Sequence, residues 1–232
     1  MTETTRFKDL PWVNNSKINT IVGGAGGIGS WLVLFLNRAD FNTTVYDFDT
    51  VEQFNLAGQI YAKEHIGCLK IECLEQIVNY FTGKTITGIS EKFNKDSMRH
   101  TYMFSGFDNM QAREDMFYLW CEQVNNWKVL KEDCPENNLE TPLFIDGRLS
   151  AENMEIYCVT PDRIEDYKKT LFKDNEVEPM PCTAKQTTHS AAMIASHMVA
   201  FFTNHITNNI SKERNVPFRW FYFIPLDLLT HD

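Results

Sequence analysis

The chain has no basic stripe, no CxxC pair and no apolar run approaching 18 residues. Each absence removes a class of function. With 22 Lys and Arg against 31 Asp and Glu, the net charge is −9 and the pI near 5.2, which excludes a general nucleic-acid surface. The six cysteines, Cys68, Cys73, Cys121, Cys134, Cys158 and Cys182, have neither zinc-ribbon nor thioredoxin spacing. They read as free, mostly buried thiols, and no zinc is expected. The first fifteen residues carry no apolar core for a signal peptide, so the reading is a cytoplasmic protein without a membrane span. Repeats and low-complexity tracts are also missing.

What is present is globular: 232 residues, 43% hydrophobic and 23% charged, enough for one α/β domain. The informative stretch runs from Ile18 to Asp49. An apolar run, Ile18 to Val22, ends at Gly23, and Gly24-Ala25-Gly26-Gly27-Ile28-Gly29 fits G-x-G-x-x-G. A helix pattern from Trp31 to Ala39 and a second strand pattern from Thr43 to Tyr46 follow, then Asp47 and Asp49. The glycines allow a tight strand-to-helix turn, and the helix start offers free N–H groups to phosphate oxygens. Asp47, roughly 20 residues on, stands where a carboxylate accepts ribose hydroxyls. The same letters open many nicotinamide-dependent dehydrogenases, so that reading stands as a rival.

The remaining chain alternates strand and helix signals. A loop leads into a helix with apolar positions Ile66, Leu69, Cys73, Leu74, Ile77, Val78 and Phe81, stopped by Gly83. Strands are predicted at Thr85–Ile89, Tyr102–Ser105, Leu143–Ile145 and Met154–Val159, the last two as an antiparallel pair. Helices are predicted at Met110–Trp127, Asp162–Phe172 and Thr188–Ile206, with the aromatic stretch from Phe218 as a last strand. Asp146-Gly147-Arg148 reads as a turn at a strand end. The fold class is α/β: a doubly wound, Rossmann-like, mainly parallel sheet with an antiparallel extension. One domain is expected, with an arm at 1–15, a nucleotide-binding half at 16–150, and the extension, a crossover loop and a terminal helix and strand at 151–232.

Asp47-x-Asp49-x-Val51, Asn55-Leu56 with Gln59, Ile66-Gly67 with Lys70, and Asp108-Asn109 with Arg113 follow the glycines. Their order and spacing resemble the adenylating enzymes that activate ubiquitin-like proteins. This is the ThiF-type family, with the molybdopterin-synthase and thiamine sulfur-carrier activators and the ubiquitin-activating enzymes. The resemblance runs from about Ile18 to Ile206 and implies ATP and Mg2+ as cofactors. It places Gly24, Gly26 and Gly29 at the phosphate turn, Asp47 on the ribose, Asn55 and Lys70 on the phosphates, and Asp108 on magnesium or the reacting phosphate. It also implies a homodimer and a ubiquitin-like, sulfur-carrier or peptide substrate, and it marks Cys182 as a candidate acceptor thiol against an inert loop cysteine.

One departure stands out. The family's Arg-Gln is Gly58-Gln59 here, so the phosphates lack one bidentate donor. Arg148 is the first candidate to replace it as a catalytic residue, against a purely structural pairing with Asp146 or Glu152. Arg6 of a second copy comes next, and a nucleotide-binding relative without catalysis is the alternative. The dehydrogenase rival needs Tyr-x-x-x-Lys, which only Tyr80 and Lys84 match, at a helix end.

Overall fold

The computed structural model describes residues 9–15, 18–137, 139–150, 153–172, 187–211 and 213–232. Arg6, Glu152, Cys182 and the expected crossover loop at 173–186 lie outside the described residues.

Buried, β-branched residues on both faces of a short run make a central strand. So Asn19–Gly23 forms β1 and Asn42–Tyr46 forms β2, with Thr87–Ile89, Tyr102–Ser105 and Leu143–Ser150 as β3, β4 and β5. Asn153–Val159, Arg219–Phe223 and Leu228–His231 are β6, β7 and β8. The sheet order is β3-β2-β1-β4-β5-β6-β7-β8. It is parallel from β3 to β5 and antiparallel from β5 to β8. The chain reverses direction across the sheet between β1 and β4, and such switch points open a crevice at the strand C-termini.

Helices α1 (Gly27–Arg38), α2 (Lys70–Thr82) and α5 (Thr188–Asn208) cover one face. Their core joins Val22, Leu32, Leu36, Leu74, Ile194 and Phe202. The other face holds α3 (Met110–Asp133) and α4 (Ile164–Lys168) over Met116, Phe117, Trp120, Phe144 and Tyr167. Local signals set the ends: Gly83 closes α2 in the left-handed conformation at φ 67°, and the Asn109 side chain caps α3 by accepting the Ala112 N–H at 2.9 Å.

Four features differ from the expectations. Residues 11–15 form a 3-10 turn with Trp12 packed on the core, so this part of the arm is docked. Helix α3 runs past its expected end at Trp127 to Asp133, because Lys, Glu and Leu sustain an exposed helix. An eighth strand follows β7, each of its four residues exposed and so without an apolar signature.

The fourth is the Asp146-Gly147-Arg148 segment. It is no turn. It lies inside β5, with Gly147 opposite Ile156 and Arg148 opposite Glu155. The glycine serves packing: a Cβ there would sit 2.6 Å from Met198 Sδ of α5 and 3.4 Å from Ile28 Cδ1.

Candidate functional site

Strand β1 ends at Gly23, whose carbonyl accepts the Gly106 N–H from beyond β4 at 2.9 Å. The two strand ends are thus fastened side by side at the switch point. Gly24 turns the chain with φ +87°, and Gly29 lies so close under it that a Cβ would stand 1.8 Å from the Gly24 carbonyl oxygen. At Gly26 the same test meets nothing within 4 Å, so that side of the turn is open. Helix α1 starts there with no side-chain cap, leaving its first N–H groups for a ligand.

The acids after β2 are committed to this turn. Asp47 accepts the Ala25 N–H at 2.7 Å and the Asp49 N–H at 2.9 Å. Asp49 in turn holds Lys70, the first residue of α2, both through its carbonyl, on the Lys70 N–H, and through its carboxylate, 2.9 Å from Nζ. The lysine side chain is only 7% exposed, so it is no solvated helix lysine. Burial raises the pKa of Asp47 above the usual carboxylate value; the Lys70 charge and the two backbone N–H groups oppose that rise.

The segment between β2 and α2 closes along α1. Asn55 sits in a 3-10 turn, Gln53–Ala57, buried, with its side-chain oxygen on the Glu52 N–H at 2.8 Å. Gly58 caps this turn at φ −133°, and its carbonyl accepts the Trp31 indole N–H at 3.0 Å. Gln59 is buried, and its Oε1 has no partner among the described residues. Tyr61 is 5% exposed, and its hydroxyl donates to the Ala25 carbonyl at 2.8 Å. The start of α5 docks on the same segment through Thr188 Oγ1 and the Ala57 carbonyl, at 2.6 Å.

Asp108 is exposed, beside the Asn109 amide at 3.5 Å. The preceding loop is fixed from below. Arg113 of α3 donates to the Phe107 and Gly147 carbonyls and to the Asp146 carboxylate. Asp146, fully buried, also accepts Arg148 Nε at 2.7 Å and the Tyr167 hydroxyl at 2.9 Å. Burial alone would raise its pKa, but the two guanidiniums beside it hold it below the usual value.

The structure therefore links the glycine turn to Asp47, Asp49 and Lys70 through hydrogen bonds that start at Ala25, with Gly29 packed against Gly24. Asn55 and Asp108 make only the local contacts given above. Arg148 is placed elsewhere. Its other two nitrogens donate to the Thr170 carbonyl and hydroxyl at 3.0 Å each, with the guanidinium 4.6 Å from the Tyr157 ring. It braces α4 on the sheet, away from the glycine turn, because β5 alternation sends it to the α3/α4 face. Tyr80, in the last turn of α2, is 85% exposed, and Lys84, just past the end of that helix, pairs with Asp40. The dehydrogenase reading loses its pair. His197 stacks on Trp220 and His205 binds the Thr141 carbonyl, so these two α5 histidines are packing residues. Asp49 and Tyr61 carry no separate role in the sequence analysis, and Asp146 enters it only as the structural partner of Arg148, a pairing the structure shows, not as the partner of Arg113. Their partners stand 21, 36 and 33 residues away, and no local pattern signals such pairs.

The switch-point crevice, the open glycine turn and the acid at the end of β2 define a Rossmann-like α/β protein of the nucleotide-binding class. The chain belongs to the ThiF family, whose profile matches residues 12–226. No curated protein matches the sequence. Among solved structures, E. coli MccB is 12% identical over all of this chain and 70% of its own, with a TM-score of 0.70. MccB with ATP is 12% identical, over 97% of this chain and 66% of its own, with a TM-score of 0.69. This chain thus spans about two thirds of that protein. E. coli TcdA, a tRNA N6-threonylcarbamoyladenosine dehydratase, is 15% identical over 85% of this chain and 89% of its own, at 0.61. At such identities the likeness shows the fold. Among the described residues, no helix is long and apolar enough to cross a membrane.

Proposed function

We propose that this protein transfers adenylate from ATP to a carboxylate. The supporting observation is the unit formed by the glycine turn, Asp47, Asp49 and Lys70 at the switch point, in a chain of the ThiF family. ATP lies across the crevice with its phosphates on the turn and its ribose on Asp47. Lys70 neutralises phosphate charge, and the Asn55 NH2 group, its oxygen already held by Glu52, donates to phosphate oxygens. A carboxylate oxygen of the substrate forms a bond to the α-phosphorus. The α–β phosphoanhydride bond breaks, and its electron pair leaves with pyrophosphate. No proton moves, because the nucleophile is already ionised at neutral pH. The site has only to align and to stabilise charge.

Asp108 is the residue that would hold Mg2+. A single exposed carboxylate suits a magnesium ion that takes its other ligands from water and phosphates, and among the described residues no group of three or more acidic, His or Cys side chains forms a separate metal cage. When bound, the ion supplies further neutralisation of the phosphates. The substrate is a C-terminal carboxylate of a ubiquitin-like or sulfur-carrier protein or of a peptide; E. coli MccB has been solved with AMPCPP and MccA. The working form is a cytoplasmic homodimer, and Cys182 remains a candidate acceptor thiol.

A second reading, a nucleotide-binding relative that does not transfer, is favoured by one observation. Gly58 lacks the family guanidinium, and Arg148 is spent on Asp146 and Thr170. ATP–pyrophosphate exchange with a protein or peptide ending in Gly-Gly separates the two. Exchange is expected; ATP binding without exchange would establish the second reading.

A further inference from the structure

Ala25, inside the glycine turn, is gripped at both of its backbone polar atoms. Its N–H donates to Asp47 at 2.7 Å, and its carbonyl accepts the Tyr61 hydroxyl at 2.8 Å. Tyr61 approaches from 36 residues further along the chain and is buried beneath the turn, 5% exposed. The peptide between Ala25 and Gly26 is trans. In a trans peptide the C=O and N–H point in opposite directions. A carbonyl drawn inward to Tyr61 therefore turns the Gly26 N–H outward, to the side where a Cβ on Gly26 would meet nothing within 4 Å. Among the described residues that N–H has no protein acceptor. One peptide earlier the same logic holds: Ala25 N–H points at Asp47 while the Gly24 carbonyl points under the turn at Gly29.

We propose that Tyr61 is a positioning residue: its buried hydroxyl sets the Ala25–Gly26 peptide plane so that the Gly26 N–H donates to a phosphate oxygen of the bound nucleotide. Burial and the neighbouring Asp47 charge raise the phenol pKa, so the hydroxyl stays a donor at all physiological pH values. Without it the Ala25 carbonyl is left buried and unpaired, and the peptide is free to rotate toward another partner. This role rests on the nucleotide-binding reading and adds to it a residue that touches no ligand.

The test is calorimetric titration of Tyr61→Phe and wild type with ATP and with adenosine. A hydroxyl that acts through a phosphate donor predicts ATP binding weakened on the order of tenfold, with adenosine affinity changed less than about twofold. Equal weakening of both ligands, or of neither, overturns it. Wild type that binds neither ligand overturns the nucleotide reading itself and this role with it. If Tyr61→Phe does not fold, the Gly26 amide resonance of 15N-labelled wild type decides. A downfield shift with ATP and none with adenosine is expected; no shift with ATP overturns the proposal.

Discussion

A carboxylate locked between two guanidiniums answers to different rules from one in water. Asp146 has no exposure, and each of its oxygens faces an arginine. Removing its charge leaves Arg113 and Arg148 buried together without a counter-ion. Asp146→Asn is therefore expected to lose about 3–5 kcal/mol in chemical denaturation at neutral pH. The sign of the pH effect follows from its depressed pKa. Its contribution is complete above the unfolded value of about 3.9 and is lost as pH falls through the lower folded value, so the gap to wild type narrows only in strong acid. Arg148→Lys, which keeps charge but not the fork onto Asp146 and Thr170, is expected to lower the melting temperature and leave ATP affinity unchanged. Weakened ATP binding at unchanged melting temperature would restore Arg148 to the phosphates. Two glycines make the opposite contrast. Gly29→Ala drives a methyl into the Gly24 carbonyl, whereas Gly26→Ala meets only open space. The first should cost far more in melting temperature, while the second should weaken ATP binding at least several-fold by titration.

At the scale of elements, α5 carries a histidine that reports on its own packing. His205 is buried, with Nε2 2.7 Å from the Thr141 carbonyl, and burial lowers its pKa below 6.5. A depressed histidine stabilises the fold above its unfolded pKa, and that contribution is lost as pH falls below it. His205→Asn should therefore flatten the dependence of unfolding free energy on pH between about 7.5 and 5. A slope identical to wild type would show that His205 titrates freely. Strand β4 and the first half of β5 were legible in the sequence because burial on both faces leaves apolar runs. Gly83 likewise announced the end of α2 through its backbone chemistry. The glycine turn and Asp47 were legible by spacing, whereas Lys70 stood out only through the family resemblance. Gly147 misled because a glycine flanked by Asp and Arg has the composition of a turn, while the reason for it is Met198 of a helix some fifty residues later. Strand β8 was silent because exposed Leu228 and Leu229 produce no alternation. Tyr61 looked like any aromatic before a loop, since its partner at Ala25 is set by tertiary packing.

For the molecule as a whole, the proposed homodimer gives a direct expectation: light scattering at micromolar concentration should return twice the 27.0 kDa chain mass. A value equal to one chain would remove any role for Arg6 of a second copy. The architecture also bears on how the protein comes apart. Strand β5 is parallel to β4 on one side and antiparallel to β6 on the other, so it belongs to both halves of the sheet. The Asp146 network then joins it to α3 through Arg113, to α4 through Tyr167 and to Thr170, just past α4, through Arg148. Stitched at this seam, the nucleotide half and the extension are expected to open together. Calorimetry should show one transition with equal van't Hoff and calorimetric enthalpies. In native-state hydrogen exchange, amides of β4, β5 and β6 should open only with global unfolding, while those of β3 and β8 at the two sheet edges exchange through local fraying.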